Sequence, residues 1–101
     1  MTSATPAVAQ LTTGTIRGTA KDETGGVLPG ADITITNADT GTTRSLTTNE
    51  QGRFEAPNLQ VGTYEVAGTL SGFRNAARTG ITLGLGRTVV IDLTLGVAGL
   101  E

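Results

Sequence analysis

Leu28-Pro29-Gly30-Ala31-Asp32-Ile33-Thr34-Ile35-Thr36-Asn37 is the stretch that decides the fold. Proline presets the first central residue of a type II turn, and glycine accepts the positive φ of the second. From Ala31 onward the side chains alternate. Ala31, Ile33 and Ile35 fall on one face, while Asp32, Thr34 and Thr36 fall on the other. A period of two with β-branched residues specifies a half-buried strand over about 31–37. Upstream, Ile16, Gly18 and Ala20 alternate with Arg17, Thr19 and Lys21, which predicts a strand over 14–21. The polar, glycine-rich run Asp22-Glu23-Thr24-Gly25-Gly26 turns the chain between them.

The same punctuation continues downstream. Asn37 to Thr42 is a turn, with Asp39-Thr40-Gly41 as its breaker, and a strand over 43–48 contributes Leu46 to the core. Asn49-Glu50-Gln51-Gly52 makes a hairpin into a fourth strand, which carries Phe54 and is expected to end at Pro57 because proline cannot donate to a ladder. Gly62 opens a fifth strand with Tyr64, Val66 and Leu70 on one face, and Gly68 within that face marks a bulge or a close backbone approach. A polar strand over 74–79 reads as an edge defended by charge. Ile81, Leu83 and Leu85 alternate before Gly86, and a final strand over 87–95 turns Val89, Ile91, Leu93 and Leu95 inward, with Asp92 and Thr94 outward. The expectation is an all-β, seven- to eight-stranded antiparallel sandwich of two sheets.

A length of 101 residues suits one domain. Its expected divisions are a lead over 1–13, the sandwich over 14–95, and an exit linker or non-native tail over 96–101. In the lead, Ala7-Val8-Ala9 before Gln10 resembles the small-residue end of a secretory signal, the alternative being an ordinary Ala/Thr-rich tail. The net charge of −2 comes from seven basic and nine acidic residues spread along the chain, so no basic patch points to nucleic acid. No stretch approaches the roughly 18 apolar residues of a membrane-spanning helix. The sequence has no cysteine and no histidine, which removes disulfides, thiol nucleophiles, imidazole bases and the commonest zinc ligands.

Taken in order, Gly18, Asp22, Gly26, Leu28-Pro29-Gly30-Ala31, Gly52-Arg53-Phe54, Leu59, Gly62-Thr63-Tyr64 and Gly72-Phe73 resemble the carboxypeptidase regulatory-like domain, a transthyretin-like (prealbumin-like) sandwich. The resemblance covers about residues 14–95. Within that family the chain looks most like the N-terminal periplasmic domain of Oar-like TonB-dependent outer-membrane receptors. The resemblance implies an exported bacterial protein at the periplasmic face of the outer membrane. It implies a non-catalytic accessory or docking role, with a protein partner: its own plug and barrel, or a periplasmic or surface protein. No nucleic acid and no direct membrane insertion are expected, and the isolated domain is expected to be a monomer. The order of strands in the two sheets also rests on the resemblance.

Ser3, Ser45 and Ser71 have no histidine partner, and no nucleophile–base set is visible. Asp22 and Glu23 are adjacent but lie in a turn, while Glu65 and Asp92 point outward by parity. Asp22, Glu23, Asp32 and Asp39 are potential oxygen ligands for calcium, yet none forms the spaced run of a calcium loop. Phe54, Tyr64 and Phe73 read as core residues rather than a sugar-binding platform, with the Tyr64 hydroxyl at the core edge. Lys21, the sole lysine, is placed outward, as are Glu65 and Asp92, which argues against an isopeptide crosslink. Segments 74–79 and 81–85 are the candidate edges for strand addition. The reading is therefore catalytic residues none, cofactor none and metal none, with binding residues left unassigned. A carbohydrate- or ligand-binding module and a structural stalk domain are the alternatives.

Overall fold

The computed structural model describes residues 13–98, so Ser3 and the Ala7-Val8-Ala9-Gln10 run lie outside the described residues. Eight strands follow in order: β1 (Thr13–Asp22), β2 (Asp32–Asn37), β3 (Thr43–Thr47), β4 (Arg53–Gln60), β5 (Gly62–Thr69), β6 (Ala76–Leu83), β7 (Thr88–Val90) and β8 (Leu93–Leu95). One sheet runs β3-β2-β5-β6 and is antiparallel throughout. The other runs β4-β1-β7, with β8 also pairing β1. Gly30 has a φ of 77°, which supplies the positive dihedral that the Pro29-Gly30 turn requires.

Strand parity sets the core. Ile16 and Ala20 from β1, Ile33 and Ile35 from β2, Phe54 and Ala56 from β4, and Tyr64 and Val66 from β5 are all buried. Ile81 and Leu83 from β6 join them, with Ile91, Leu93 and Leu95 from the C-terminal segment. Leu46, Leu70, Phe73 and Val89 pack against this cluster from its margins. Aliphatic side chains therefore do most of the filling, as a chain with three aromatics demands.

The structure corrects four expectations. First, the sheet containing β1 is mixed rather than antiparallel: β7 and β8 both run parallel to β1. Second, β4 does not stop at Pro57. It lies at an edge, where a missing N–H is tolerated, and Pro57-Asn58 form a bulge opposite Thr15, between the pairs Ile16↔Ala56 and Gly14↔Leu59. Third, segments 74–79 and 81–85 are not separate strands. They join in β6 through a second bulge, where Thr79-Gly80 sit opposite Glu65 and Gly80 takes a φ of 69°. Leu85 then falls outside the strand and is exposed. Fourth, the strand expected over 87–95 is parted into β7 and β8 at Ile91–Asp92, although both halves keep one register on β1.

Gly18 explains that break. A Cβ at Gly18 would lie 1.7 Å from the Ile91 carbonyl oxygen. The Ile91 amide still donates to the Arg17 carbonyl at 2.7 Å, but the Thr19 amide is met by the Asp92 carboxylate at 3.2 Å. A side chain thus replaces one rung of the ladder where the backbone crosses glycine.

Parallel pairing of the first and last strands fixes the path of the chain. Thr13, at the start of β1, lies beside Gln60. Leu95, at the end of β8, lies beside Asp22 at the other end of β1. The polypeptide enters the sandwich at one pole and leaves at the opposite pole. Beyond β8, Gly96 accepts from the Arg74 amide at 2.7 Å and the Ala98 amide donates to Gly72 at 3.0 Å, so the segment leaving the sandwich is tied to the β5–β6 connection.

Candidate functional site

The residues that carry the sequence pattern are engaged in folding. Asp22 organises the turn after β1. Its Oδ1 accepts from the Thr24 hydroxyl at 2.7 Å and from the Thr24 and Gly26 amides at 2.9 Å. The Thr24 hydroxyl first, and the Gly26 amide next, hold the Asp22 carboxyl below its ordinary range by favouring its ionised form. Gly52, with a φ of 74°, leaves no room for a Cβ, which would stand 2.9 Å from the Ala20 carbonyl oxygen, the Leu28 nitrogen and the Val27 side chain. Thr48, one of the buried polar residues, locks the Leu28–Ala31 turn: its hydroxyl donates to the Leu28 carbonyl at 2.6 Å and accepts from the Ala31 amide at 2.9 Å. The Tyr64 hydroxyl donates to the Gln60 carbonyl at 2.7 Å, at the edge of the core.

The other residues singled out for chemistry are scattered. Asp32 and Asp39 are exposed, Asp32 at the start of β2 and Asp39 two residues past its end. Among the described residues no group of three or more acidic, histidine or cysteine side chains is gathered to hold a metal ion. Ser45 lies exposed in β3 and Ser71 in the turn after β5. Lys21 lies in register with Thr94, while Asp92 bonds Thr19. Phe54 and Tyr64 are buried and Phe73 is half-buried, so none of them forms an open aromatic platform.

Two concavities stand out among the described residues. A shallow groove of about 550 Å³ lies on the outer face of the β4-β1-β7 sheet, with Arg17, Thr19, Arg53, Glu55 and Val90 along it. A smaller cleft of about 330 Å³ opens between the two sheets near the pole where the chain enters, lined by Ile35, Asn37, Thr43, Arg44, Asn58 and Tyr64 among others. Arg44 spans this cleft. Its Nη1 donates to the Pro57 carbonyl at 2.6 Å, linking β3 to β4. Asn58 is the one non-glycine residue at positive φ among those described, at 61°. Buried Asn37 caps the β2–β3 turn, its Oδ1 accepting from the Asp39 and Thr40 amides at 2.8 and 3.1 Å.

Asn37, Arg44 and Asn58 escape a reading of the sequence. Asn37 reads as the opening of a turn and Arg44 as one charge in a polar strand. Asn58 follows a proline expected to end its strand. The Pro57-Asn58 pair is the one local signal of an irregularity there, since asparagine tolerates left-handed backbone better than most residues.

Most of the ordered pattern is thus used in the turns, the core and the close backbone contacts of a two-sheet sandwich. The carboxypeptidase regulatory-like domain family matches residues 15–96. The chain belongs to that family. A search of curated protein sequences finds no match. Among solved structures, this carboxypeptidase regulatory-like domain resembles the Bacillus anthracis TIE protein, at 24% identity and a TM-score of 0.72, over 85% of this chain and 17% of that one. It resembles a streptococcal ancillary pilin at 16% identity and a TM-score of 0.66, over 88% of this chain and 34% of the pilin. It also resembles chlorocatechol 1,2-dioxygenase from Pseudomonas putida at 14% identity and a TM-score of 0.70, over 83% of this chain and 60% of the enzyme. The domain spans less than two thirds of each of these proteins, and at such identities the likeness is one of fold.

Proposed function

We propose that this carboxypeptidase regulatory-like domain is a non-catalytic accessory module of an exported bacterial protein, which positions neighbouring parts of its own chain and offers a surface to a protein partner. The observation that carries the reading is the path of the polypeptide. A parallel first and last strand place the points of entering and leaving at opposite poles, an arrangement that suits a module placed in line between other parts. Family membership supports it, as does the use of the pattern residues in turns, core and close backbone contacts rather than in a convergent set of reactive groups.

In its finer form the proposal is the periplasmic N-terminal extension of a TonB-dependent outer-membrane receptor, with the plug and barrel following. The test is the reading frame downstream of Leu95. A plug followed by a barrel of alternating strands is the expected result. A peptidase, or a stop codon, would overturn the receptor placement. The same path of the chain suits a structural stalk, and tandem copies of this domain flanking it in the gene would select that reading instead.

A further inference from the structure

The four sheet edges are not equivalent. β4 carries the Pro57-Asn58 bulge, β6 carries the Thr79-Gly80 bulge, and β7 is parted from β8 at Ile91–Asp92. Each break interrupts the row of backbone groups that an added strand would need. β3 has no such break. It pairs with β2 without a register shift from Asp32↔Thr47 to Thr36↔Thr43, and it contains neither proline nor glycine.

Flanking hydrogen bonds fix the phase of that edge. The Thr48 amide donates to the Ala31 carbonyl and the Asn37 amide to the Thr42 carbonyl. With a period of two, the backbone groups of Arg44 and Leu46 face β2, and those of Thr43, Ser45 and Thr47 face away from it. Among the described residues no further strand meets them. The one charge on β3 does not guard the edge, because half-buried Arg44 reaches inward to Pro57.

The inter-sheet cleft opens beside this edge, with Thr43 and Arg44 on one wall and Asn58 and Leu59 on the other. Arg44 is the one charged residue lining it. A single guanidinium hydrogen bond runs to the Pro57 carbonyl, and the planar fork retains donors suited to a carboxylate. We infer that the β3 edge accepts an extended segment of a partner polypeptide as an additional antiparallel strand, with an acidic side chain opposite Arg44 and an apolar one opposite Leu46. The inference deepens the interaction reading above and rests on it. A strand from a flexible segment suits the site better than a second folded copy. The edge is only five residues long, short of the roughly 800 Å² per partner that stable interfaces between folded domains bury.

The probe is a blocked peptide containing Thr-Val-Thr-Glu-Thr, which sets Val against Leu46 and Glu against Arg44, titrated into the isotope-labelled protein. The expected result is saturable binding with shifted, exchange-protected amides at Thr43, Ser45 and Thr47. Replacing the peptide Glu with Lys should weaken binding at least about fivefold, as a cross-strand charge pair predicts, and Arg44→Gln should erase that preference. Ser45→Pro removes an outward N–H without touching the β2 ladder and should abolish binding. If that variant does not fold, the Glu/Lys peptide pair and Arg44→Gln decide alone. Absence of saturable binding would overturn the inference. Shifts confined to β4 or β6 would overturn it too, and so would self-association through β3 without peptide, which would make a second copy the occupant. The downstream reading frame is an independent measurement, so failure at the edge leaves the in-line placement standing, and the converse holds.

Discussion

Gly18 packs its bare α-carbon against the carbonyl of Ile91, so that a Cβ would fall 1.7 Å from that oxygen and 2.9 Å from Cζ of Phe54. The contact pins the C-terminal segment onto β1 at the point where the ladder breaks. No rotamer relieves a Cβ clash with backbone. Gly18→Ala should therefore cost about 3 kcal/mol or more, at the upper end of overpacking effects, or prevent folding. Urea denaturation of the purified variant measures it, and a change within the noise would show that Ile91 lies elsewhere.

Thr48 tests whether the Leu28–Ala31 turn is held by its hydroxyl. Thr48→Val keeps the shape but leaves the Leu28 carbonyl and the Ala31 amide without their partner. The expected loss is about 2 kcal/mol, the cost of stranding buried polar groups. Thr48→Ser keeps both bonds and should lose much less. A larger loss for Thr48→Ser than for Thr48→Val, read from thermal unfolding, would assign the effect to the methyl group instead.

The aromatic residues separate packing from hydrogen bonding. Phe54→Ala and Tyr64→Ala should each cost on the order of 3 kcal/mol, because both side chains are buried between the sheets. Tyr64→Phe removes only the bond to the Gln60 carbonyl and should cost about 1 kcal/mol. Chemical denaturation of the three variants checks the order.

Asn58 sits at a φ of 61° in the β4 bulge. Asn58→Gly should be neutral or slightly stabilising, whereas Asn58→Val should lose about 1–2 kcal/mol through left-handed strain. A stable valine variant would show that the bulge is remade without that dihedral.

The pH dependence follows from Asp22. Its folded carboxyl titrates below the ordinary range, chiefly through the Thr24 hydroxyl. Between the folded and unfolded states the unfolded chain then binds the proton more readily. The stabilisation is present above the unfolded carboxylate range and is lost as pH falls through the lower folded value. The stability difference between the wild type and Asp22→Ala should thus shrink as the solution is acidified below about pH 4. Urea midpoints at neutral and acid pH supply the check, and a difference that grows in acid would contradict the turn geometry.

Ile33, Ile35, Ile16 and Ala20 show why so much of the fold is legible in the chain. Their burial follows from alternation along a single strand, which needs no knowledge of the neighbour. The Pro29-Gly30 turn and the Asn49–Gly52 hairpin are legible for the same reason, since φ preferences act within a few residues. Leu85 misleads because alternation continues past the end of β6, where Gly86 turns the chain and leaves the side chain outside. The cleft was not legible at all: Arg44 and Pro57 meet only when β3 is laid against β4.

The sequence by itself determined the strand faces, the principal turns, the aliphatic core and the family, because each is written in local periodicity or in an ordered set of short-range signals. Tertiary structure alone decided that β7 and β8 run parallel to β1, that bulges break β4 and β6, and that β3 remains an intact edge beside a cleft with one arginine. Those features depend on contacts between residues far apart in the chain. Their free energies come from closing two sheets over one core, and no window of the sequence contains both sides of such a contact.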